Sequence, residues 1–289
     1  MYRYHPVTIG LIFMDPANYN IFLDCLGSIF KNRFFNIHLA LVDNTGQEFF
    51  SQVQAKEIID GIVTKATGFS LLRQFKDYVS LGPTGDAIQL IINESVRSVS
   101  ENWNAIFQRT NSPVIIYIND DVMVHKHFDR IIYDTVMGYN NEIQVKADVC
   151  SFQECPPHEQ LQNLEWDTIS SSSGYIHEGF NGCCWGTTKD VLREVGRRQG
   201  NGLPFDENFK LACYEDLDFY RTAKIRAPEF EFILNGQSFV FHHGAKTRNS
   251  KMVEKLQDDF TNGIYHIDYN REVFKKKHGF SQEELEVFE

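Results

Sequence analysis

No apolar run in this 289-residue chain approaches the roughly 20 residues a membrane-crossing helix needs. Nor does the chain open on a basic segment, an apolar stretch and a small-residue cleavage site. MYRYHPVTIGLIF runs almost at once into a β-like stretch, and the expectation is a cytoplasmic protein. Positive charge is also scarce. Lys+Arg number 28 against 39 Asp+Glu, a formal net charge of −11. Tight binding to a phosphate polymer needs Lys and Arg at the phosphates, so this balance argues against nucleic acid as the main partner. A nucleotide as a small ligand stays open, because a metal ion can supply the positive charge. The six cysteines (Cys25, Cys150, Cys155, Cys183, Cys184 and Cys213) contain no CxxC pair. Adjacent Cys183 and Cys184 fit poorly into a disulfide framework, and zinc-ligand spacing is absent. The expectation is reduced, mostly buried thiols. There are no internal repeats, and a hydrophobic content of 42% argues against disorder.

What is present is an alternation of buried strands and amphipathic helices. Val7–Phe13 is a short apolar strand. A helical pattern follows, with Phe22, Leu23, Leu26, Ile29 and Phe30 three and four residues apart. Residues 37–42 (IHLALV) make a second strand, ending on the turn signal Asp43-Asn44-Thr45-Gly46. One helix is expected around Phe49 to Ile59 and another around Leu71 to Val79. Strands are expected at 88–92 (IQLII) and 114–118 (VIIYI), and helices near 100–109 and from Phe128 to Val136. Strands apolar on both faces, alternating with helices, predict an α/β fold with a mostly parallel sheet covered on both sides. Residues 153–180 read as a long loop, with 170–174 a candidate lid. A short helix around Val191 to Val195, another at 215–226 and a last strand at 239–241 follow. The tail from Lys251 is charged and helical in places, and Lys275 to Lys277 form a small basic patch.

Four constellations can carry chemistry. Asp120 and Asp121 follow a buried strand, and ligands of open α/β sheets gather beyond the carboxyl ends of the strands. Oxygen ligands there suit Mg²⁺ or Mn²⁺; the plain alternative is a polar turn. Glu215-Asp216 opens a helix. Acidic residues there complement the helix dipole, or one of them removes a proton from a hydroxyl. His242-His243 ends a strand, where neighbours point to opposite sides, so at most one faces the site. Lys246 and Arg248 downstream can reach a diphosphate or be solvated surface charge. Asp43 and Asn44 end the second strand, and can bind a base or ribose or simply form a turn.

In this order, the segments VTIGLIFMDPANYNIFLDCLGSI, LALVDNTG, NWNAIFQRTNSPVIIYINDDVMV, GFNGCCWGTTKDVLREVG, PFDENFKLACYEDLDFYRTAK and VFHHGAKTRNS resemble an inverting glycosyltransferase of the GT-A fold. The resemblance is to the large family of rhamnosyltransferases and polysaccharide-building transferases, and it spans roughly residues 7 to 250. It implies a Rossmann-like single domain over 1–250. Residues 1–140 would bind the nucleotide sugar, 141–250 the acceptor, and 251–289 would be a helical C-terminal tail. It also implies roles. Asp43, with Asn44, would bind the nucleoside. Asp121 would be the principal metal ligand with Asp120 beside it, Asn119 and Asp120 would contact the donor, and His242 would be the further metal ligand, with His243 its fallback. Asp216 would be the general base, Glu215 would position the acceptor, and Gly182 would border the donor sugar. The implied cofactor is Mn²⁺ or Mg²⁺. The donor would be a nucleotide sugar, a UDP-sugar being favoured. The acceptor hydroxyl would sit on a glycan, a lipid-linked sugar or another molecule. The sequence departs from the family pattern at Asn119, where a DxD motif begins with Asp. It departs again in the long segment between the second and third strands and in the first loop, Met14 to Asn20. Two rivals compete. A nucleotidyltransferase would carry a Gly-rich basic loop after its first strand, where this chain has Met14-Asp15-Pro16-Ala17-Asn18. A non-catalytic sugar- or nucleotide-binding module would not need both acidic clusters and the histidines.

Overall fold

The computed structural model describes residues 5–68, 79–80, 86–138, 146–155, 176–244, 254–256 and 260–280. Its first half follows the apolar runs. β1 (Val7–Phe13), β2 (Ile37–Asp43), β4 (Ala87–Ile92) and β5 (Val114–Asn119) lie parallel in the order β4-β2-β1-β5. Their residues alternate between two cores because successive side chains leave opposite faces of a strand. Val7, Ile9, Leu11 and Phe13 of β1 join Val114, Ile116 and Ile118 of β5 in one core, under α1 (Tyr19–Asn32) and α2 (Val53–Thr67). Ile115 and Tyr117 of β5 enter the other, with Trp103 of α3 (Val99–Arg109), Trp185, Phe205 and Phe219. α3 begins with a capping box: Ser98 Oγ accepts from the Glu101 N–H at 3.2 Å, and Glu101 Oε2 accepts from the Ser98 N–H at 2.8 Å.

The second half is mixed. β9 (Cys184–Thr188) runs antiparallel to β5 and to β7 (Val149–Cys155). β10 (Phe232–His242) runs parallel to β7, with a register shift between Asn235 and Phe239. The short β6 (Val122–Val124) and β8 (Ile176–Glu178) pair antiparallel with the late and early parts of β10. A two-residue β3 (Val79–Ser80) edges β4. Most registered residue pairs are still parallel, and α4 (Phe128–Met137), α5 (Lys189–Gln199) and α6 (Glu215–Arg226) cover the sheet. The result is a mixed, mostly parallel, curled sheet flanked by helices, a Rossmann-like arrangement.

Several expectations change. Val79 belongs to β3 rather than to a helix, and the rest of that expected helix, 71–78, lies outside the described residues. The stretch read as one long loop contains the end of β7 and all of β8, and the candidate lid at 170–174 is outside the described residues. The last strand begins at Phe232, seven residues before the apolar triplet that marked it.

The tail carries α7 (His266–His278), which packs onto the second half. The basic patch is not a free surface. Lys277 Nζ lies 2.8 Å from both Asp206 and Asp218, and Lys275 Nζ pairs with Glu272 at 2.7 Å. His278 Nε2 meets the same buried Asp218 at 2.8 Å. Two of these bonds fix α7 to α6, and the third ties it to Asp206 upstream of α6. Among the described residues no helix is long and apolar enough to cross a membrane. Cys25, Cys150, Cys183 and Cys184 are buried, and Cys213 is half-buried.

Candidate active site

A cavity of about 630 Å³ opens beyond the carboxyl ends of β1 and β5. Chain reversal after β5 makes its floor. Asn119 ends the strand, Asp120 and Asp121 form the turn, and β6 returns alongside β10. That pairing sets His242 opposite Val122, and the His243 N–H donates to the Asp121 carbonyl at 2.9 Å. The His242 ring therefore sits beside Asp121, with Nε2 3.1 Å from Asp121 Oδ1. Its other nitrogen, Nδ1, lies 2.9 Å from Glu154 Oε1, presented by the end of β7. Burial alone would lower the His242 pKa. The hydrogen bonds and charges of Asp121 and Glu154 outweigh it and raise the pKa overall.

The opposite wall is the N-terminus of α6. Glu215 and Asp216 both line the cavity. Burial raises the pKa of each, and the Asp216 charge pushes Glu215 up further, to about 8. Glu215 Oε2 is buried and has no hydrogen-bond partner among the described residues. Asp216 Oδ1 accepts from the Leu217 N–H at 2.8 Å, while the other side of its carboxylate meets Gly182. A Cβ at Gly182 would come within 2.6 Å of Asp216 Cγ and closer still to Oδ2. Only glycine leaves room for this carboxylate.

The loop before α6 is strained. Leu211, Cys213 and Tyr214 all have positive φ, at 56°, 79° and 70°. Such non-glycine residues cost about 1–3 kcal/mol each and persist only where their surroundings over-determine them. Asn270 of α7 supplies that constraint. Its Oδ1 accepts from the Lys210 N–H at 2.8 Å, and its Nδ2 lies 2.8–3.0 Å from the carbonyls of Lys210, Ala212 and Cys213. The same helix sends Ile267 and Arg271 into the cavity lining, and Arg271 Nε donates to the Tyr214 hydroxyl at 3.1 Å.

Seven of the expected site residues therefore line one cavity: Asn119, Asp120, Asp121, Gly182, Glu215, Asp216 and His242. His243 is not among the lining residues; its ring packs edge-on against Phe241. Asp43 and Asn44 are absent from the lining too. Asp43 is fully buried, and its carboxylate accepts from the Thr45 N–H and hydroxyl and from the Phe50 N–H, at 3.2, 2.7 and 2.8 Å. The Asn44 amide holds the loop after β4, donating to Arg97 O and accepting from Arg97 N–H and Asn93. Lys246 and Arg248 lie outside the described residues. The sequence reading did not single out Glu154, Cys183 or Arg271. Glu154 hid in a stretch read as loop. Cys183 Sγ lies within 4.8 Å of ligand atoms of Glu154 and His242. Burial and then the charges of Glu154, Asp121 and Asp216 push its thiol pKa up.

No protein-family model matches the chain, and no curated protein sequence matches it. Solved structures do. The mannosyltransferase PcManGT from Pyrobaculum calidifontis, solved in complex with GDP-Man and Mn²⁺, superposes with a TM-score of 0.50 at 12% identity. The match covers 84% of this chain and 58% of that one, so this chain spans less than two thirds of its neighbour's length. At that identity the likeness establishes the fold.

Proposed function

We propose that the protein is a metal-dependent, inverting glycosyltransferase that moves a sugar from a nucleotide-sugar donor to an acceptor hydroxyl. One observation carries the reading: one cavity at the strand ends is lined by both an Asp121–His242 pair and a half-buried Glu215–Asp216 pair. The fold neighbour's GDP-Man and Mn²⁺ support the donor class and the metal.

The residues fit a divalent cation. Asp121 and Asp120 offer carboxylate oxygens and His242 an imidazole nitrogen in a cavity that Glu154, Glu215 and Asp216 also line. Asp121 and His242 would hold the ion. When bound, it offsets the charge developing on the departing nucleoside diphosphate. The chain's own groups do the rest. Asp216, ionised and held by the Leu217 N–H, takes the proton of the acceptor hydroxyl. The acceptor oxygen bonds the anomeric carbon from the face opposite the leaving group. The bond from that carbon to the diphosphate breaks with its electron pair going to the diphosphate, and the configuration inverts. Protonated Glu215 can donate a hydrogen bond that orients the acceptor.

The test is a thermal-shift panel of UDP-, GDP-, dTDP- and CMP-sugars, with and without Mn²⁺. A ligand that binds only the folded state raises its stability by RT ln(1 + [L]/Kd). The reading expects a metal-dependent shift with one donor class. The sequence favours UDP-sugars and the fold neighbour adds GDP-sugars, so both are first arms. No shift with any donor, with or without metal, would overturn the reading in favour of a non-catalytic module.

A further inference from the structure

We propose that Glu154 is a positioning residue of the cation site: it holds the Nδ1–H of His242, so that Nε2 is the nitrogen presented beside Asp121. The inference rests on the reading that Asp121 and His242 hold a divalent cation.

The geometry comes from three strands. β6 and β10 fix the backbone of His242 through the Val122 register and the His243 N–H to Asp121 bond. β7 runs parallel to β10 and sets Glu154 opposite Val240, two residues before His242. The imidazole is then gripped from both ends, by Asp121 at 3.1 Å on Nε2 and by Glu154 at 2.9 Å on Nδ1. A neutral imidazole has one proton and one lone pair. A ring that ligates through Nε2 must keep its proton on Nδ1, and Glu154 is the acceptor waiting there. A carboxylate behind a ligating histidine fixes its tautomer and ring orientation and makes it a more basic ligand.

The same residues allow one competing arrangement. Glu154, His242 and Cys183 each offer a ligand atom within 4.8 Å of the others, so an ion could sit on the Nδ1 side with a thiolate ligand. The favoured ions decide against it. Mn²⁺ and Mg²⁺ prefer oxygen ligands to thiolate, and the Nε2 side carries the Asp121 carboxylate.

The full-length protein is titrated with Mn²⁺ alone, free ion being read by electron paramagnetic resonance. The wild type is compared with Glu154→Ala, Glu154→Gln, Asp121→Ala and Cys183→Ser, each checked for folding by circular dichroism. Loss of an outer-shell partner of this kind weakens metal binding by about 10–100-fold. Glu154→Ala should show that loss. Glu154→Gln keeps an acceptor for Nδ1–H without the charge and should lose less. In the Mg²⁺-loaded protein, ¹⁵N spectra should show the His242 proton on Nδ1, and Glu154→Ala should lose that fixed tautomer. Wild-type affinity in Glu154→Ala, with binding lost in Asp121→Ala, would overturn the inference and leave the proposed function standing. A thiolate-to-metal absorption band in the Co²⁺-loaded wild type, absent in Cys183→Ser, would put the ion on the other nitrogen and also overturn it. Failure of the wild type to bind Mn²⁺ would instead sink the metal-dependent reading itself.

Discussion

Two neighbouring strand ends carry an aspartate, and the protein uses them in opposite ways. β2 and β5 flank β1 on either side, both parallel to it, and both run out into acidic turns. After β2 the chain folds back at once. Thr45 and Phe50 turn their N–H groups onto Asp43 and close it off completely. After β5 the chain reverses into β6 and pairs with β10, which brings His242 to Asp121 from more than a hundred residues away. The first aspartate caps its own loop. The second keeps its place on a cavity because its neighbours come from elsewhere in the chain. A carboxylate at a strand end is thus a candidate site only when the following segment leaves room beside it.

The largest expected effect tests whether the open end does chemistry. Asp216→Asn removes the base while keeping the shape, and should lower turnover roughly 10²- to 10⁴-fold. Donor and Mn²⁺ binding should stay near wild type. The pH profile gives a second check. A base must be ionised to act, so wild-type kcat/KM should fall as pH drops through the pKa of Asp216. Burial raises that pKa, so this limb should lie above the ordinary carboxylate range. An acidic limb unchanged in Asp216→Asn would assign it to another group.

Gly182→Ala comes next. Its methyl would strike Asp216, so the carboxylate must move. Misplacement of a reacting group by about 1 Å can cost about 10²-fold in rate. Turnover should fall on that scale while Mn²⁺ affinity on the Asp121 side holds. Full activity would mean that the Gly182 contact does not set the position of the base. Asn270→Ala attacks the same wall from α7. It strips the partner from the Lys210 N–H and from three carbonyls of a strained loop. A cost of about 2 kcal/mol in urea unfolding is expected. Turnover should fall as well, because that loop sets the start of α6.

These residues also mark what sequence can and cannot reveal. The parallel half was legible because β1, β2 and β5 are buried on both faces and so are written as unbroken apolar runs. β7 and β9 were not. VCSFQEC and CWGTT mix polar, sulfur and glycine residues, and their pairing depends on partners far along the chain. Glu154 was lost with β7. In α7 the inward face is His266, Asn270 and Phe274, four residues apart. Two of the three are polar, so the stripe did not register as apolar, and Asn270 and Arg271 passed as solvated charge and polarity. The candidate site was legible where it lies next to a strong element, at Asp120-Asp121, Glu215-Asp216 and His242. Asp43 carried the same local signal as Asp121. Only the fold separates them, because what covers Asp43 is the path of residues 44–50, and an Asp-Asn-Thr-Gly turn does not reveal that path.

The smallest effect is therefore the most direct test, since it makes one change at both strand ends. Asp43→Asn keeps one acceptor oxygen but turns an amide toward an N–H that now meets a donor. It should cost about 1 kcal/mol of stability, the scale of one hydrogen bond. Because Asp43 is buried behind its own loop, metal-dependent donor shifts should be unchanged. Asp121→Asn should do the reverse. It removes one negative charge from an acidic cavity, so the urea midpoint should hold or rise, while the Mn²⁺ titration should weaken sharply. If Asp43→Asn instead weakened donor binding with stability intact, residues 44–50 would have to open in solution, and the two strand ends would form one nucleotide site. The pair thus separates a carboxylate that folds the chain from one the fold holds ready for a ligand.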